Sequence, residues 1–181
     1  MKHQKLLTVC EGALCIALAY ALTFFEIDLW FQGGSLGLTM LPLAVYAWRR
    51  GWGWGIAAGL IFGTLKCFFA GGFGWGWQSI LLDYSVAYAM IGLGGLCRKL
   101  PHGLAWTAAA GGAARFVIHF LSGITIYAIL GPTELYGLTF TSPWMYSLAY
   151  NLGYMLPSTL LVAVVGLLLE KPLSRAAGTS A

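Results

Sequence analysis

Residues 6–25 read LLTVCEGALCIALAYALTFF, and this run decides the class of the fold. Glu11 is its one charged residue. A transmembrane α-helix needs about 20 mostly apolar residues to cross the hydrocarbon core of a bilayer. The run is also longer than the apolar core of a secretory signal peptide. It therefore predicts a membrane-spanning helix rather than a cleaved leader.

The composition of the whole chain agrees with this prediction. Of the 181 residues, 59% are hydrophobic and 9% are charged, whereas a soluble domain carries about 25% charged residues. Such a chain cannot cover itself with polar surface in water. We expect an all-α integral membrane protein, with residues 1–181 forming one transmembrane domain in a lipid bilayer.

Five further apolar runs follow the first, and most of them end at charged, glycine or proline residues. Together the runs predict six transmembrane helices, over residues 6–25, 35–48, 52–70, 78–97, 104–130 and 144–169. Eight of the ten lysines and arginines fall in the termini and in the loops at 49–50 and 98–99, whereas the opposite loops carry Glu26, Asp28 and Glu134. Cytoplasmic loops hold the excess of positive charge. Both termini are therefore expected in the cytoplasm.

Two predicted helices carry small residues at every fourth position. They are Gly51, Gly55, Gly59 and Gly63 on the third helix, and Ala13, Ala17 and Ala21 on the first. This spacing forms a face along which another helix can approach closely. For the glycine face we favour packing within the bundle, with contact to another subunit as the alternative.

Ionisable residues at bilayer depth cost about 2.5–3.5 kcal/mol each on insertion scales, so each of them needs a reason. The sequence places five there, namely Glu11, Lys66, Asp83, Arg115 and His119. Glu11 and Lys66 lie near helix ends, where a long side chain reaches the interface. Asp83 is too short for that and is expected to face the bundle interior. Arg115 and His119 share a helix face, and we expect Arg115 to pair with Asp83 or with carbonyl groups.

Polar and aromatic residues converge in the outer halves of the last three predicted helices. They are Asp83, Tyr84, His119, Tyr127, Tyr146 and Asn151. Tyr146, Tyr150 and Tyr154 recur every four residues on the last predicted helix and are alone also typical of an aromatic belt at the membrane interface. Asn151 argues against the belt alone, because a carboxamide in hydrocarbon requires partners. An acid, an amide, an imidazole and flat rings at one depth suit a flat, nitrogen-rich ligand that can be cationic.

The loop before Asp83 reads GGFGWGW over residues 71–77. Glycine leaves its backbone permissive, while Phe73, Trp75 and Trp77 are large and flat. The pattern predicts a hinged aromatic lid over the acid. An ordinary membrane-interface loop is the alternative.

Motifs of catalytic and energy-converting proteins are missing from the sequence. It contains no Walker A sequence, no HExxH and no GxSxG, so we expect neither ATP hydrolysis nor enzyme activity. An intramembrane enzyme or assembly factor is accordingly disfavoured. The four cysteines lack the spacing of metal ligands. We expect no metal, no cofactor and no nucleic-acid partner.

The chain resembles the thiamine-specific S component, the ThiT/YuaJ family, of bacterial energy-coupling factor (ECF) transporters. The residues that carry the resemblance are EGALCIALA at 11–19, LP at 41–42, RRG at 49–51, LDY at 82–84, HFLSG at 119–123 and YSLAYN at 146–151. The last two blocks are the most specific, because they combine rare intramembrane polar residues with fixed spacing.

The resemblance implies a thiamine pocket in the outer leaflet of the bacterial cell membrane. The positions that match the family's pocket are Asp83, Tyr84, His119, Gly123, Tyr127, Tyr146 and Asn151. A known family pattern has glutamate and tryptophan where this chain has Asp83 and Tyr127. The family's helix 1 AxxxA motif, which docks onto the transmembrane coupling subunit, matches Ala13 and Ala17.

The expected function is therefore a high-affinity thiamine-binding subunit. It would capture thiamine from outside and release it inward when a coupling subunit and two ATPase subunits drive reorientation. The alternative is a stand-alone carrier, proton-coupled through Asp83 and His119, for thiamine or a related small amine or pyrimidine.

Overall fold

A computed structural model describes residues 2–29, 34–70, 77, 80–130, 134–135 and 137–176. Six helical segments of more than one residue lie within these ranges: α1 Lys2–Thr23, α2 Met40–Arg50, α3 Trp52–Ala70, α4 Ile80–Cys97, α5 Gly103–Leu130 and α6 Pro143–Ala176. Two short antiparallel hairpins lie between helices, one between α1 and α2 and the other between α5 and α6. They pair β1 Ile27–Asp28 with β2 Ser35–Leu36, and β3 Glu134–Leu135 with β4 Leu138–Thr139.

Five of these six segments are long and apolar enough to cross a membrane. The exception is α2, which has 11 residues. The prediction of a helical membrane protein is confirmed, whereas the count of six spans and the cytoplasmic termini stay predictions. One end of the bundle is predicted to face the exterior of the cell, and we call it the outer end.

The second predicted helix begins later than its apolar run. Residues 35–36 form β2, and α2 begins only at Met40. The hydroxyl groups of Ser35 and Thr39 both donate to the carboxylate of Glu26. Such side-chain bonds offer the chain an alternative to the helical pattern, so the helix predicted over 35–48 is wrong in its first five residues.

The last helix, in contrast, continues seven residues beyond the predicted end at 169 and reaches Ala176. The carboxylate of Glu170 accepts the backbone N–H groups of Gly103 and Leu104, at 3.1 and 3.2 Å. A carboxylate at the start of a helix satisfies orphan donors and suits the helix dipole. This contact holds the end of α6 against the beginning of α5.

The glycine face of α3 packs against α4 within the bundle. A methyl group added at Gly59 would meet the backbone of Tyr88 and come within 2.9 Å of the Ala89 Cα. At Gly63 it would meet the carbonyl group of Tyr84, and at Gly55 it would come within 2.9 Å of the Gly92 Cα. The predicted internal packing is confirmed, because only glycine allows the two backbones to lie this close.

Ion pairs and a hydrogen bond join α1 to α2 at the end of the bundle opposite the outer end. Glu11 of α1 forms ion pairs with Arg49 and Arg50 of α2. Nearby, the Tyr46 hydroxyl donates to the carbonyl oxygen of Thr8 at 3.0 Å. Glu11 therefore does not extend alone to the interface but joins two helices.

Candidate ligand-binding site

Asp83 lies in an irregular part of α4, near the outer end of the bundle. Residues Ile80–Val86 form a π-helix, a rare conformation that is frequent at functional sites. Asp83 Oδ1 lies 3.2 Å from His119 Nδ1 of α5, and the two side chains are 19% and 10% exposed. The structure thus joins the acid and the imidazole that the sequence predicts at one depth.

Asn151 of α6 adjoins this pair. Its Nδ2 donates to the carbonyl oxygens of Ser147, at 2.9 Å, and His119, at 3.3 Å. Its Oδ1 accepts from the Tyr154 hydroxyl at 3.1 Å. The buried amide therefore connects α5 with α6 and fixes the backbone of His119.

A row of aromatic rings on α6 extends away from His119. The ring centroids of Tyr146 and Tyr150 lie 5.8 Å apart, and those of Tyr150 and Tyr154 lie 5.7 Å apart. Tyr154 in turn meets His119 edge-on at 6.3 Å. Tyr146 and Tyr154 are each 6% exposed, so these two rings belong to the bundle interior rather than to a lipid-facing belt. Their faces can stack on a flat ligand or attract a cation.

Gly123 lies where α5 and α6 come close. A methyl group at this position would meet the Ser147 hydroxyl and come within 3.2 Å of Asn151 Nδ2. The Ser147 hydroxyl itself donates to the carbonyl oxygen of Phe120 at 2.7 Å. Glycine here permits the contact that places Asn151 beside His119.

One face of α5 carries buried polar atoms that lack a hydrogen-bond partner in the described part of the chain. They are Arg115 Nε, His119 Nε2 and Ser122 Oγ. The spacing of i, i+4 and i+7 places all three side chains on one face of the helix. Unsatisfied buried polar groups are rare in native proteins. His119 thus has one ring nitrogen held by Asp83, while the other has no partner among the described residues.

Tyr84 and Tyr127 were predicted to line the same site. Tyr84 is half-buried, with its carbonyl group against Gly63 of α3. Among the described residues, it takes no part in the hydrogen bonds that join Asp83, His119 and Asn151. Tyr127 belongs to α5, but its side chain lies outside the described part of the structure. The binding roles of both tyrosines stay predictions.

The structure describes part of the predicted aromatic lid and both alanines of the predicted contact with the coupling subunit. Phe73 and Trp75 lie outside the described residues, whereas the side chain of Trp77 is described and is 69% exposed. Ala13 and Ala17 are exposed on α1, and a partner contact through them stays a prediction.

Sequence reasoning missed the partner of Lys66. The Lys66 ammonium donates to Glu26 Oε2 at 2.7 Å and to the Tyr88 hydroxyl at 3.0 Å. The expectation that Lys66 extends to the interface is therefore wrong, because its side chain is only 15% exposed and pairs inside the protein. The available signal was an intramembrane lysine together with two acids, Glu26 and Asp28, just beyond α1.

Glu26 is held in its ionised form by this environment. Burial raises its pKa, but the Lys66 charge and the hydrogen bonds from Lys66, Thr39 and Ser35 outweigh that effect and lower the pKa below its usual value. Glu26 is therefore a buried carboxylate whose charge the fold supports.

Arg115 has a partner that the sequence did not suggest. Its guanidinium lies over the ring of Tyr88, 4.2 Å from the centroid, which is a cation–π contact. Tyr88 therefore contacts Arg115 through its ring and Lys66 through its hydroxyl group.

The family described as "Thiamine transporter protein (Thia_YuaJ)" matches residues 9–177. The chain belongs to this thiamine transporter family. It is thus a multi-pass cell-membrane transport protein and not an enzyme, as predicted.

Curated relatives support the membership. A protein named "Thiamine transporter ThiT" from Lacticaseibacillus paracasei is 31% identical over 188 aligned positions, which cover 93% of this chain and 89% of the relative. A protein of the same name from Bacillus subtilis is 30% identical, over 74% of this chain and 73% of the relative.

A solved structure of ThiT from Listeria monocytogenes has a similar fold. Its TM-score is 0.80 at 22% sequence identity, with 93% of this chain and 96% of that chain covered. At 22% identity, this similarity shows that the two chains share a fold and does not extend to individual side chains.

Proposed function

We propose that this family member is the thiamine-binding S component of an ECF transporter. It captures thiamine in an outward-facing pocket between α4, α5 and α6 and passes it inward. A coupling subunit and two ATPase subunits supply the energy. The observation that carries the proposal is the buried cluster of Asp83, His119 and Asn151 beside stacked tyrosines.

The chemistry of thiamine suits this cluster. Its aminopyrimidine presents N–H groups and ring nitrogens, which the Asp83 carboxylate and the open His119 Nε2 can bind. Its thiazolium ring is a flat cation, and aromatic faces attract such a cation by about 2 kcal/mol when it is desolvated. No covalent bond of thiamine is made or broken. In the thiamine-binding subunit, transport therefore requires only a change in the side of the membrane to which the pocket opens.

A titration of the purified protein with thiamine tests this function. The eight tryptophans of the chain provide a fluorescence signal, and we expect saturable quenching with one thiamine per protein. An absence of quenching and of heat in a parallel calorimetric titration would show that thiamine is not the ligand.

A second candidate function has one observation in its favour. The contact between Asp83 and His119 could relay a proton in a stand-alone carrier. Liposomes that contain only this protein distinguish the two functions. The S-component proposal predicts thiamine binding without accumulation, with or without a pH gradient, whereas gradient-driven uptake would establish the carrier.

A further inference from the structure

The ion pair between Glu26 and Lys66 is the starting point. Its partners lie 40 residues apart in the chain, and their side chains are only 12% and 15% exposed. Removing two charges from water is costly and is repaid only when their remaining hydrogen-bonding capacity is satisfied. Here Ser35 and Thr39 donate to Glu26 at 3.0 and 2.5 Å. These bonds fix the carboxylate in one orientation.

The first consequence concerns residues 34–39, which contain β2 and end directly before α2. Glu26 holds two side chains of this segment, and α6 holds its backbone. The Ser158 hydroxyl donates to the Ser35 carbonyl oxygen at 3.3 Å, and the backbone of Gly34 lies near the Tyr150 hydroxyl. Tyr150 is the middle ring of the aromatic row. The segment therefore connects the ion pair with the aromatic wall of the site.

The second consequence concerns the opposite wall of the site. Lys66 also bonds to the hydroxyl of Tyr88, which is only 3% exposed. The ring of Tyr88 lies under the Arg115 guanidinium, and Arg115 precedes His119 by one helical turn. A displacement of Lys66 would thus release Tyr88 and, through it, the face of α5 that carries His119.

We propose that Glu26 and Lys66 are positioning residues for the ligand site. Their ion pair fixes residues 34–39 against α6 and Tyr88 against Arg115, and it thereby sets how long a bound ligand stays. Neither side chain touches the ligand. This inference rests on the proposed thiamine-binding function, which supplies the probe.

Stopped-flow fluorescence of the purified full chain with thiamine tests the kinetic part. In Lys66→Met the dissociation rate should rise about tenfold while the association rate changes less than about twofold, because affinity is tuned mainly through dissociation. A double variant with reversed charges, Glu26→Lys with Lys66→Glu, should recover much of the loss. A dissociation rate in Lys66→Met within about twofold of the wild type would overturn the proposal.

The opposite end of the bundle contains a matched control. Glu11→Gln breaks a similarly placed acid–base cluster with Arg49 and Arg50, far from the site. We expect its thiamine kinetics to equal those of the wild type. An equal acceleration in Glu11→Gln would assign the effect to general loosening of the bundle and overturn the proposal.

A measurement without ligand separates this inference from the proposed function. Ser35→Cys with Ser158→Cys, in a chain whose four native cysteines are alanine, reports by oxidative crosslinking how firmly the segment lies on α6. Adding Glu26→Gln, which is nearly isosteric and serves if Lys66→Met fails to fold, should lower the crosslinking rate several-fold. An unchanged rate would refute the positioning role whether or not thiamine binds. If the wild type binds no thiamine, the proposed function fails and the crosslinking alone decides the inference.

Discussion

At the scale of single residues, Asp83 carries the sharpest prediction. Asp83→Asn keeps the shape but removes the charge that accepts from the ligand and from His119. A hydrogen bond to a charged group contributes about 2 kcal/mol, or about thirtyfold in affinity. Calorimetric titration with thiamine should show this loss. Asp28→Asn, on exposed β1, is the control and should bind as the wild type does.

The lowered pKa of Glu26 predicts that the stability of the folded protein depends on pH. Because its pKa is lowered in the folded state, ionised Glu26 stabilises the fold above the usual pKa of a glutamate. This contribution is lost as the pH falls through the lowered value. The melting temperature of the wild type should exceed that of Glu26→Gln at about pH 6, and the gap should narrow toward about pH 3. A gap that stays constant over this range would contradict the assignment.

The sequence predicted some residues of the site better than others. Asp83, His119 and Asn151 could be grouped because rare polar residues in a membrane helix must face the interior, and helix depth follows from residue count. The Glu26–Lys66 pair could not be found in this way, because Glu26 lies just beyond a helix in a segment of unknown path. The cation–π contact of Arg115 with Tyr88 depends on the rotation of two helices, which apolar runs do not encode.

At the scale of elements, the packing of α3 on α4 is open to a direct test. Gly59→Ala would place a methyl group against the backbone of α4 and should cost about 2 kcal/mol of stability. Gly53→Ala is the control on the same helix, because nothing lies within 4 Å of the added methyl group. It should be neutral or gain up to about 1 kcal/mol. Thermal melting in detergent measures both, and equal effects would argue against the close contact.

The apolar runs predicted which segments are helical, but they did not predict where a helix is a π-helix or a 3₁₀-helix. The four-residue spacing of glycine in α3 predicted a close helix contact correctly. The π-helix of Ile80–Val86 and the 3₁₀-helix of Gly92–Cys97 had no signal in hydrophobicity, since both depend on the neighbours of α4. The late start of α2 likewise depends on Glu26, a tertiary partner.

At the scale of the whole molecule, the charge distribution predicts the orientation in the membrane. In a cysteine-free background, Asp28→Cys should react with a membrane-impermeant maleimide in intact cells. Lys99→Cys, which is also exposed, should react only after permeabilisation. The reverse pattern would place both termini outside and the candidate site toward the cytoplasm.

A structure of the protein with thiamine bound tests the central claim most directly. We predict thiamine between α4, α5 and α6, with an aminopyrimidine nitrogen within hydrogen-bonding distance of the Asp83 carboxylate and the thiazolium ring against the tyrosines of α6. Thiamine bound elsewhere in the bundle, with the contact between Asp83 and His119 undisturbed and no tyrosine near the ligand, would contradict the claim.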